Sequence, residues 1–96
     1  MLIVTAKLKA AAGKEAALEQ VFLSLATEVR QNEPGCSMYT LCKTREPGRY
    51  QVVECYADQE ALGLHGKSAH FRAALPKIGA CLEGATEIEV LTPVAG

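Results

Sequence analysis

The pattern of polar and apolar residues predicts four β-strands, and the alternation is clearest in the first of them. In the first stretch Thr5, Lys7 and Lys9 alternate with apolar residues, and successive side chains of a strand point to opposite faces of a sheet. Only the turn sequence REPG separates the second and third stretches, which predicts a hairpin. The predicted strands are Leu2–Lys9, Cys36–Thr44, Arg49–Ala57 and Ala85–Thr92.

A different pattern lies between the first two strands, where apolar residues recur every three or four positions. This spacing places them in one stripe of a helix that begins at Gly13. The stretch NEPG, from Asn32 to Gly35, ends the helix because proline cannot continue it and glycine permits a sharp turn. The stripe consists of Leu18, Val21, Phe22, Leu25 and Val29.

Two short helical segments are predicted between the third and fourth strands. Asp58 can accept hydrogen bonds from free N–H groups, so it caps the first segment, which Gly66 ends. Ser68 caps the second segment in the same way, and Pro76 should kink or end it. The order is therefore βαββαβ with a divided second helix. This is the ferredoxin-like α+β arrangement, an antiparallel sheet with its helices on one face.

The composition narrows the class of protein. The chain has 96 residues, 49% of them hydrophobic, and no linker-like stretch, which indicates one domain over residues 1–96. A net charge of −1 with scattered basic residues gives no indication of a nucleic-acid partner. No apolar run is long enough to span a membrane, and the first ten residues lack the basic start of a signal peptide. We therefore expect a cytoplasmic protein.

The four cysteines, in contrast, do not predict a metal or disulfide framework. No two of them have the Cys-x-x-Cys spacing of a zinc loop. Reduced, mostly buried thiols are expected instead.

Both faces of the second and third strands carry apolar residues. Of the third strand, Val52 lies on one face and Val53 and Cys55 on the other. Helices can cover only one face, so we expect the sheet of a second copy to cover the other in a two-fold homodimer. A monomer with an exposed apolar sheet is the alternative, but monomers rarely expose large apolar patches. In the second strand the expected division places Cys36, Met38, Thr40 and Cys42 on one face and Tyr39 and Leu41 on the other.

Three motifs, EPGC-x-x-Y-x-L, Y-x-V-V-E-x-Y-x-D-x-x-A-L-x-x-H and S-x-H-F, carry a family resemblance. They resemble the antibiotic biosynthesis monooxygenase superfamily of dimeric α/β-barrel proteins, and most of all its small quinol-monooxygenase-like branch. The likeness spans the whole chain. Enzymes of the haem-degrading branch resemble one another in an Asn, a Trp and an axial His. At the corresponding positions this chain has Ala6, Tyr56 and Leu75. Haem degradation is therefore not expected.

The resemblance and the strand pattern together indicate a candidate site. The family resemblance implies that Tyr56 faces a cavity between sheet and helices, and Glu54 shares its face. His65, near the end of a helical segment, should overhang that cavity and approach Glu54. We expect His65 and Glu54 to be catalytic. The expected substrate-binding residues are Tyr56, Val52, Phe71, His70 and Tyr39.

Structural roles compete with these functional ones. Glu54 could be a hydrogen-bonded structural carboxylate, His65 and His70 could be helix-end residues, and Tyr39 and Tyr56 could be core residues. No metal site is expected, because His65 and His70 are five positions apart and the sequence shows no third ligand.

The sequence contains no phosphate loop, flavin signature or nucleophile elbow. An oxygenase without these motifs should need no cofactor and should act on a small electron-rich aromatic compound, such as a quinol or polyphenol. A base, His65 tuned by Glu54, would remove the phenolic proton. Two alternatives stay open: an isomerase of a small carbonyl compound that uses the same base, or a non-catalytic dimer that binds a small ligand.

Overall fold

The computed structural model describes residues 1–96 and contains the predicted elements in the predicted order. The sheet is antiparallel with strand order β2-β3-β1-β4, and the helices pack on one face. The ferredoxin-like α+β fold is therefore confirmed. The strands are β1 (Leu2–Lys9), β2 (Cys36–Lys43), β3 (Arg49–Tyr56) and β4 (Glu87–Leu91). The helices are α1 (Glu15–Asn32), α2 (Gln59–Lys67) and α3 (Ala69–Ala80).

The helix boundaries follow the predicted caps at one end and differ from the prediction at the other. The side chains of Asp58 and Ser68 accept hydrogen bonds from the first turns of α2 and α3, as expected. Gly66 lies inside α2 instead of ending it, because the helix continues to Lys67, and the N–H of the following Ser68 donates to the carbonyl of His65. Pro76 lies within α3 and does not end it. Packing of the buried Ile78 holds the last turn in place.

The core lies between the inner face of the sheet and the helices, mainly α1. The predicted helix stripe supplies Leu18, Phe22, Leu25 and Val29, all buried. Full burial of a side chain of this size contributes roughly 1.5–3 kcal/mol, so this stripe is a main source of the stability of the fold. The sheet supplies apolar residues that alternate with outward-facing ones. They include Ala6, Leu8, Tyr39, Tyr50 and Val52.

A β-bulge at the start of β2 changes one predicted orientation. Cys36 pairs with Tyr56, whereas Met38 pairs with Cys55, so Ser37 is an extra residue on this strand. Cys36 therefore shares the inner face with Tyr56 and packs against the core. The prediction that Cys36 and Met38 lie on the same face is wrong, because strict alternation cannot anticipate an inserted residue.

The outer face of the sheet is open to solvent in the single chain. Met38 is 46% exposed, Val53 and Cys55 are half-buried, and every residue of β4 is exposed. The sheet is open and does not form a closed barrel. Cover of this face by a second copy accordingly stays a prediction. No helix has the length and apolar character needed to cross a membrane.

All four cysteines are free thiols, but the expectation that most of them are buried is wrong. Cys81 is buried and Cys36 and Cys55 are half-buried, but Cys42 is exposed on the outer face of the sheet.

Candidate functional site

Three helix ends meet beside the sheet and bring three titratable side chains together. Glu33 directly follows α1, His65 lies in the last turn of α2, and His70 is the second residue of α3. Ser68 joins the last two helices, because its hydroxyl donates to the carbonyl of His65 and accepts from the N–H of Phe71. We refer to Glu33, His65 and His70 as the helix-end cluster.

The turn after α1 brings Glu33 within reach of the histidines. A Cβ atom at Gly35 would lie 2.7 Å from the Cβ of Ala61, which is closer than real Cβ atoms approach one another. Glycine therefore allows this turn to pack directly on α2. The carbonyl of Gly35 also accepts a hydrogen bond from the N–H of Ala57, which fixes the turn to the end of β3.

Hydrogen bonds hold the helix-end cluster together. Nδ1 of His65 lies 2.9 Å from Oε2 and 3.1 Å from Oε1 of Glu33, and Nε2 of His70 also contacts Oε2. An ionised carboxylate can only accept hydrogen bonds, so both imidazoles donate N–H groups to it. Glu33 and His65 are buried, and the side chain of His70 is 13% exposed. The ring hydrogen bonds of His65 all use Nδ1, which leaves Nε2 for another group.

Aromatic side chains surround His65 on its other sides. The centroid of its ring lies 4.5 Å from that of Phe71, 5.1 Å from that of Tyr39 and 5.6 Å from that of Tyr56. Tyr39 and Tyr56 are buried, whereas Phe71 is only partly buried. The surroundings of the imidazole are therefore apolar rings on one side and the carboxylate of Glu33 on the other.

A second buried carboxylate, Glu54, lies on the inner face of β3. The hydroxyl of Tyr56 donates to its Oε1 over 2.6 Å, and we refer to these two residues as the sheet pair. Burial raises the pKa of Glu54, while the hydrogen bond from Tyr56 and the charge of His65 oppose the shift. Burial and the adjacent Glu54 raise the pKa of Tyr56. Burial likewise raises the pKa of Tyr39. The two phenols are therefore un-ionised at neutral pH.

The structure brings most of the predicted site residues together. Glu54, Tyr56 and Tyr39 are buried near His65, and the partly buried Phe71 lies against its ring. His65 approaches Glu54 without a hydrogen bond to it, because Glu54 accepts from Tyr56 and the carboxylate that His65 contacts is Glu33.

The family resemblance implies a cavity around Glu54, Tyr56 and His65, but none of the four main pockets is lined by these residues, by Val52 or by Phe71. Two other predicted site residues do line pockets. Tyr39 lines a pocket of about 330 Å³ between α1 and β2. His70 lines a pocket of about 420 Å³ beside Glu33 and another of about 760 Å³ between α1 and α3. Val52 is a core residue with 2% of its surface exposed.

Glu33 is the site residue that the sequence reasoning missed. Its stretch, NEPG, predicts the end of a helix, and the EPGC motif that begins at Glu33 carries the family resemblance, but neither observation assigns Glu33 to the site. The available signal was a carboxylate immediately before a Pro-Gly turn, at the point where the topology returns the chain to the sheet. Its contacts with residues 32 and 37 positions away could not be derived from periodicity.

The helix-end cluster also has the composition of a metal site. Glu33 adds a third donor to the two histidines, and one ligand atom of each lies within 4.8 Å of the others. These three residues are the ones that could hold a cation. In the present arrangement Oε2 of Glu33 accepts a hydrogen bond from each imidazole, so the three side chains satisfy one another.

Cys36, near this cluster, is not an activated nucleophile. Burial, together with the negative charge of Glu33, raises the pKa of its thiol to about 11. The thiolate, which is the reactive form, is therefore scarce at neutral pH.

Comparisons with known proteins agree on one family. The family model for antibiotic biosynthesis monooxygenases matches residues 1–77. A structure from Caulobacter crescentus, provisionally named an antibiotic biosynthesis monooxygenase, is 43% identical and superposes with a TM-score of 0.93, over 98% of this chain and 90% of that one. Rv0793 from Mycobacterium tuberculosis is 25% identical, with a TM-score of 0.91 over 99% and 96% of the two chains. PA3566 from Pseudomonas aeruginosa is 29% identical, with a TM-score of 0.86 over 98% and 94%. No curated protein matches the chain.

Proposed function

The chain belongs to the antibiotic biosynthesis monooxygenase family, and we propose that it is a cofactor-independent monooxygenase of small, electron-rich aromatic compounds. The observation that carries the proposal is the environment of His65. Its Nδ1 is held by a buried carboxylate, its Nε2 has no protein partner, and aromatic rings surround it. The nitrogen of a neutral imidazole that carries no hydrogen has a lone pair, so Nε2 is suited to take a phenolic proton.

A hydroquinone illustrates the reaction and its balance. Nε2 of His65 removes a phenolic proton, and the resulting phenolate passes one electron to dioxygen. The two radicals then combine at a ring carbon to form a C–O bond. When the O–O bond breaks, one oxygen atom stays on the ring and the other leaves as water. The overall change is hydroquinone plus dioxygen to hydroxyquinone plus water, so the substrate supplies all four electrons.

Glu54 is assigned the complementary role in this proposal. Because burial raises its pKa, it retains a proton at a higher pH than an exposed glutamate does. It is therefore suited to deliver a proton to the oxygen atom that leaves as water, while His65 removes one from the substrate. Pairs of titratable groups in different environments commonly divide acid and base roles in this way.

The aromatic residues around His65 would bind the flat ring of the substrate. Tyr39 and Tyr56 are buried, whereas Phe71 is only partly buried. We infer that the ring enters on the side of Phe71, with movement of this side chain. The apolar walls would also keep water from reactive intermediates.

The same base can serve a different reaction. Proton transfer by His65 between two carbons of a small carbonyl compound would be an isomerisation, which needs no oxygen. A dimer that binds such a compound without turning it over is a third possibility. Product formation under anaerobic conditions would favour the isomerase. Binding of the compound without formation of any product would favour the non-catalytic dimer.

Oxygen consumption with a panel of hydroquinones tests the proposal. His65→Asn is the informative variant, because the amide nitrogen of Asn occupies the place of Nδ1 and preserves the bond to Glu33 but offers no base. We expect turnover to fall by roughly 10²- to 10⁴-fold. Lys67→Ala, an exposed change on the same helix, is the control and should leave turnover unchanged. Equal turnover in wild type and His65→Asn would remove His65 as the base.

We also propose that two copies pair through the outer face of the sheet. The face presents Met38, Val53, Cys55 and Leu91, and no helix covers it. Exposed apolar residues on a sheet are commonly covered by a symmetric copy. Sedimentation should therefore give twice the chain mass of 10.2 kDa at micromolar concentration.

A charge on the outer face should separate the copies. Met38→Asp places an unpaired charge in the proposed interface, where burial of the charge is unfavourable. Leu75→Asp is the matched control, because Leu75 on α3 is 47% exposed and Met38 is 46% exposed. We expect Met38→Asp alone to sediment as a monomer. A wild-type protein of 10.2 kDa mass in solution would contradict the pairing.

A further inference from the structure

We propose that Glu33 and His70 are positioning residues for His65, so that the base of this protein is the whole helix-end cluster. The inference rests on the proposed function in assigning the base to His65. It adds two residues, from two other helix ends, without which His65 would not be held in the reactive form. Glu33 acts on His65 directly, and His70 acts through Glu33.

Glu33 determines which nitrogen of His65 carries the proton. A neutral imidazole carries one N–H group, on either nitrogen. Because Nδ1 lies 2.9 Å from Oε2 of Glu33, the tautomer with hydrogen on Nδ1 gains a charge-assisted hydrogen bond. The lone pair is then on Nε2, the nitrogen without a protein partner. Glu33 therefore selects the form of His65 that can accept a proton from the substrate.

Glu33 also balances the positive charge that His65 acquires during the reaction. His65 is 4% exposed, so the imidazolium formed by proton transfer would be a buried cation with little hydration. Burial of an unpaired charge is strongly unfavourable. The carboxylate of Glu33, which is also buried, balances this charge at hydrogen-bonding distance. Loss of the negative charge should thus slow turnover even if the shape of the site is kept.

His70 fixes the orientation of the Glu33 carboxylate. A glutamate side chain has several rotatable bonds. If His65 were the only hydrogen-bond donor to Glu33, the carboxylate could still rotate. Nε2 of His70 donates to the same oxygen from the side of α3. Residues that orient a functional group in this way commonly contribute 10- to 100-fold to its action. Loss of His70 should accordingly lower kcat less than loss of the Glu33 charge. The part of His70 that affects kcat should be its donor nitrogen and not the rest of its ring.

Four variants separate the parts of the cluster. Glu33→Gln keeps the shape and removes the charge, and we expect kcat for hydroquinone oxidation to fall roughly 10²- to 10⁴-fold with KM little changed. His70→Ala should lower kcat about 10- to 100-fold. His70→Gln places an amide N–H where Nε2 stands and should restore most of that loss. Glu28→Gln, an exposed change on α1, is the control and should keep the wild-type kcat.

A measurement that needs no turnover tests the positioning directly. Nitrogen-15 NMR of the His65 ring distinguishes the two tautomers in folded protein. We expect hydrogen on Nδ1 in wild type and His70→Gln, and a mixture or the other tautomer in Glu33→Gln. If wild type oxidises no hydroquinone yet shows this pattern, the proposed function fails and the positioning stands.

Two results would overturn the positioning role. One is an unchanged His65 tautomer in folded Glu33→Gln. The other is a stoichiometric metal ion in purified protein whose removal alters the ring signals of His65 and His70, because the cluster would then be a metal site.

Discussion

The molecule contains two buried carboxylates that differ in their partners. Glu33 accepts N–H groups from two imidazoles that belong to other helices, whereas Glu54 accepts one hydroxyl from its own strand, two residues away. Hydrogen bonds in which both groups can be charged are stronger than one from a neutral phenol. The single hydrogen bond to Glu54 does not offset the cost of burying its charge, so its pKa is raised. The two sites show that burial alone does not determine what a carboxylate can do.

The two sites also depend on the fold in different ways. The sheet pair needs only strand β3, because side chains two residues apart share a face. The helix-end cluster needs α1, α2 and α3 in place at once, since one member comes from each helix end. Changes at the cluster should therefore affect stability and turnover together, and changes at the sheet pair should be more local.

The largest effect on stability is expected from the removal of the Glu33 carboxylate. Glu33→Ala leaves the donor nitrogens of the buried His65 and the part-buried His70 without their common acceptor, and each donor left unsatisfied in this way typically costs about 1–3 kcal/mol. Urea unfolding of the variant and of Glu28→Ala measures the difference. Glu28 is exposed, so its change should stay within roughly 0.5 kcal/mol. A cost below about 1 kcal/mol for Glu33→Ala would show that the cluster is not a stabilising contact.

An intermediate effect is expected when the sheet pair loses its hydroxyl. Tyr56→Phe leaves the buried Glu54 without a donor, which should cost roughly 1–3 kcal/mol of unfolding free energy. Tyr50→Phe makes the same chemical change, but the partner of Tyr50 is Glu19, a carboxylate that is 36% exposed and also meets Lys43. Water can replace that hydroxyl, so we expect a loss below about 1 kcal/mol. Equal losses at both positions would contradict the role assigned to burial.

The pH dependence of stability should distinguish Glu54 from an ordinary glutamate. The pKa of Glu54 is raised in the folded protein. When the pH rises above the ordinary pKa of a glutamate, the folded state therefore binds more protons than the unfolded state. Stability from this group is complete at acid pH and is lost as pH rises through the folded pKa. Glu54→Gln keeps an acceptor for Tyr56 and cannot ionise. The variant should gain stability over wild type at pH 8, and the gain should shrink toward pH 4.5. A difference that does not vary with pH would contradict the raised pKa.

The order of the elements could be predicted from the sequence because it follows from local rules, such as the caps at Asp58 and Ser68. Strand parity predicts that Glu54 and Tyr56 share a face, and the family resemblance implies that this face is the inner one, where both are buried. The bulge at Ser37 could not be predicted, since an inserted residue leaves no periodic signal.

The helix-end cluster was predicted only in part. The two histidines stood out as residue types, but which carboxylate they meet depends on how three helices pack. The family resemblance and strand parity together led us to expect His65 near Glu54, whereas close packing of Gly35 on Ala61 brings Glu33 into contact with His65. Such packing is a tertiary property, and no spacing along the chain encodes it.

The smallest effect is expected at Ser68, whose side chain bridges the two helices that carry the histidines. Its hydroxyl donates to the carbonyl of His65 at 2.7 Å and accepts from the N–H of Phe71 at 3.3 Å. Ser68→Ala should cost about 1 kcal/mol in urea unfolding, the usual contribution of an N-cap. Asp58→Ala removes the cap at the far end of α2 and should cost about the same. Only Ser68→Ala should lower turnover, by a few-fold, because only Ser68 positions both histidines. The same small loss of turnover in both variants would mean that helix stability, and not the geometry of the cluster, sets the rate.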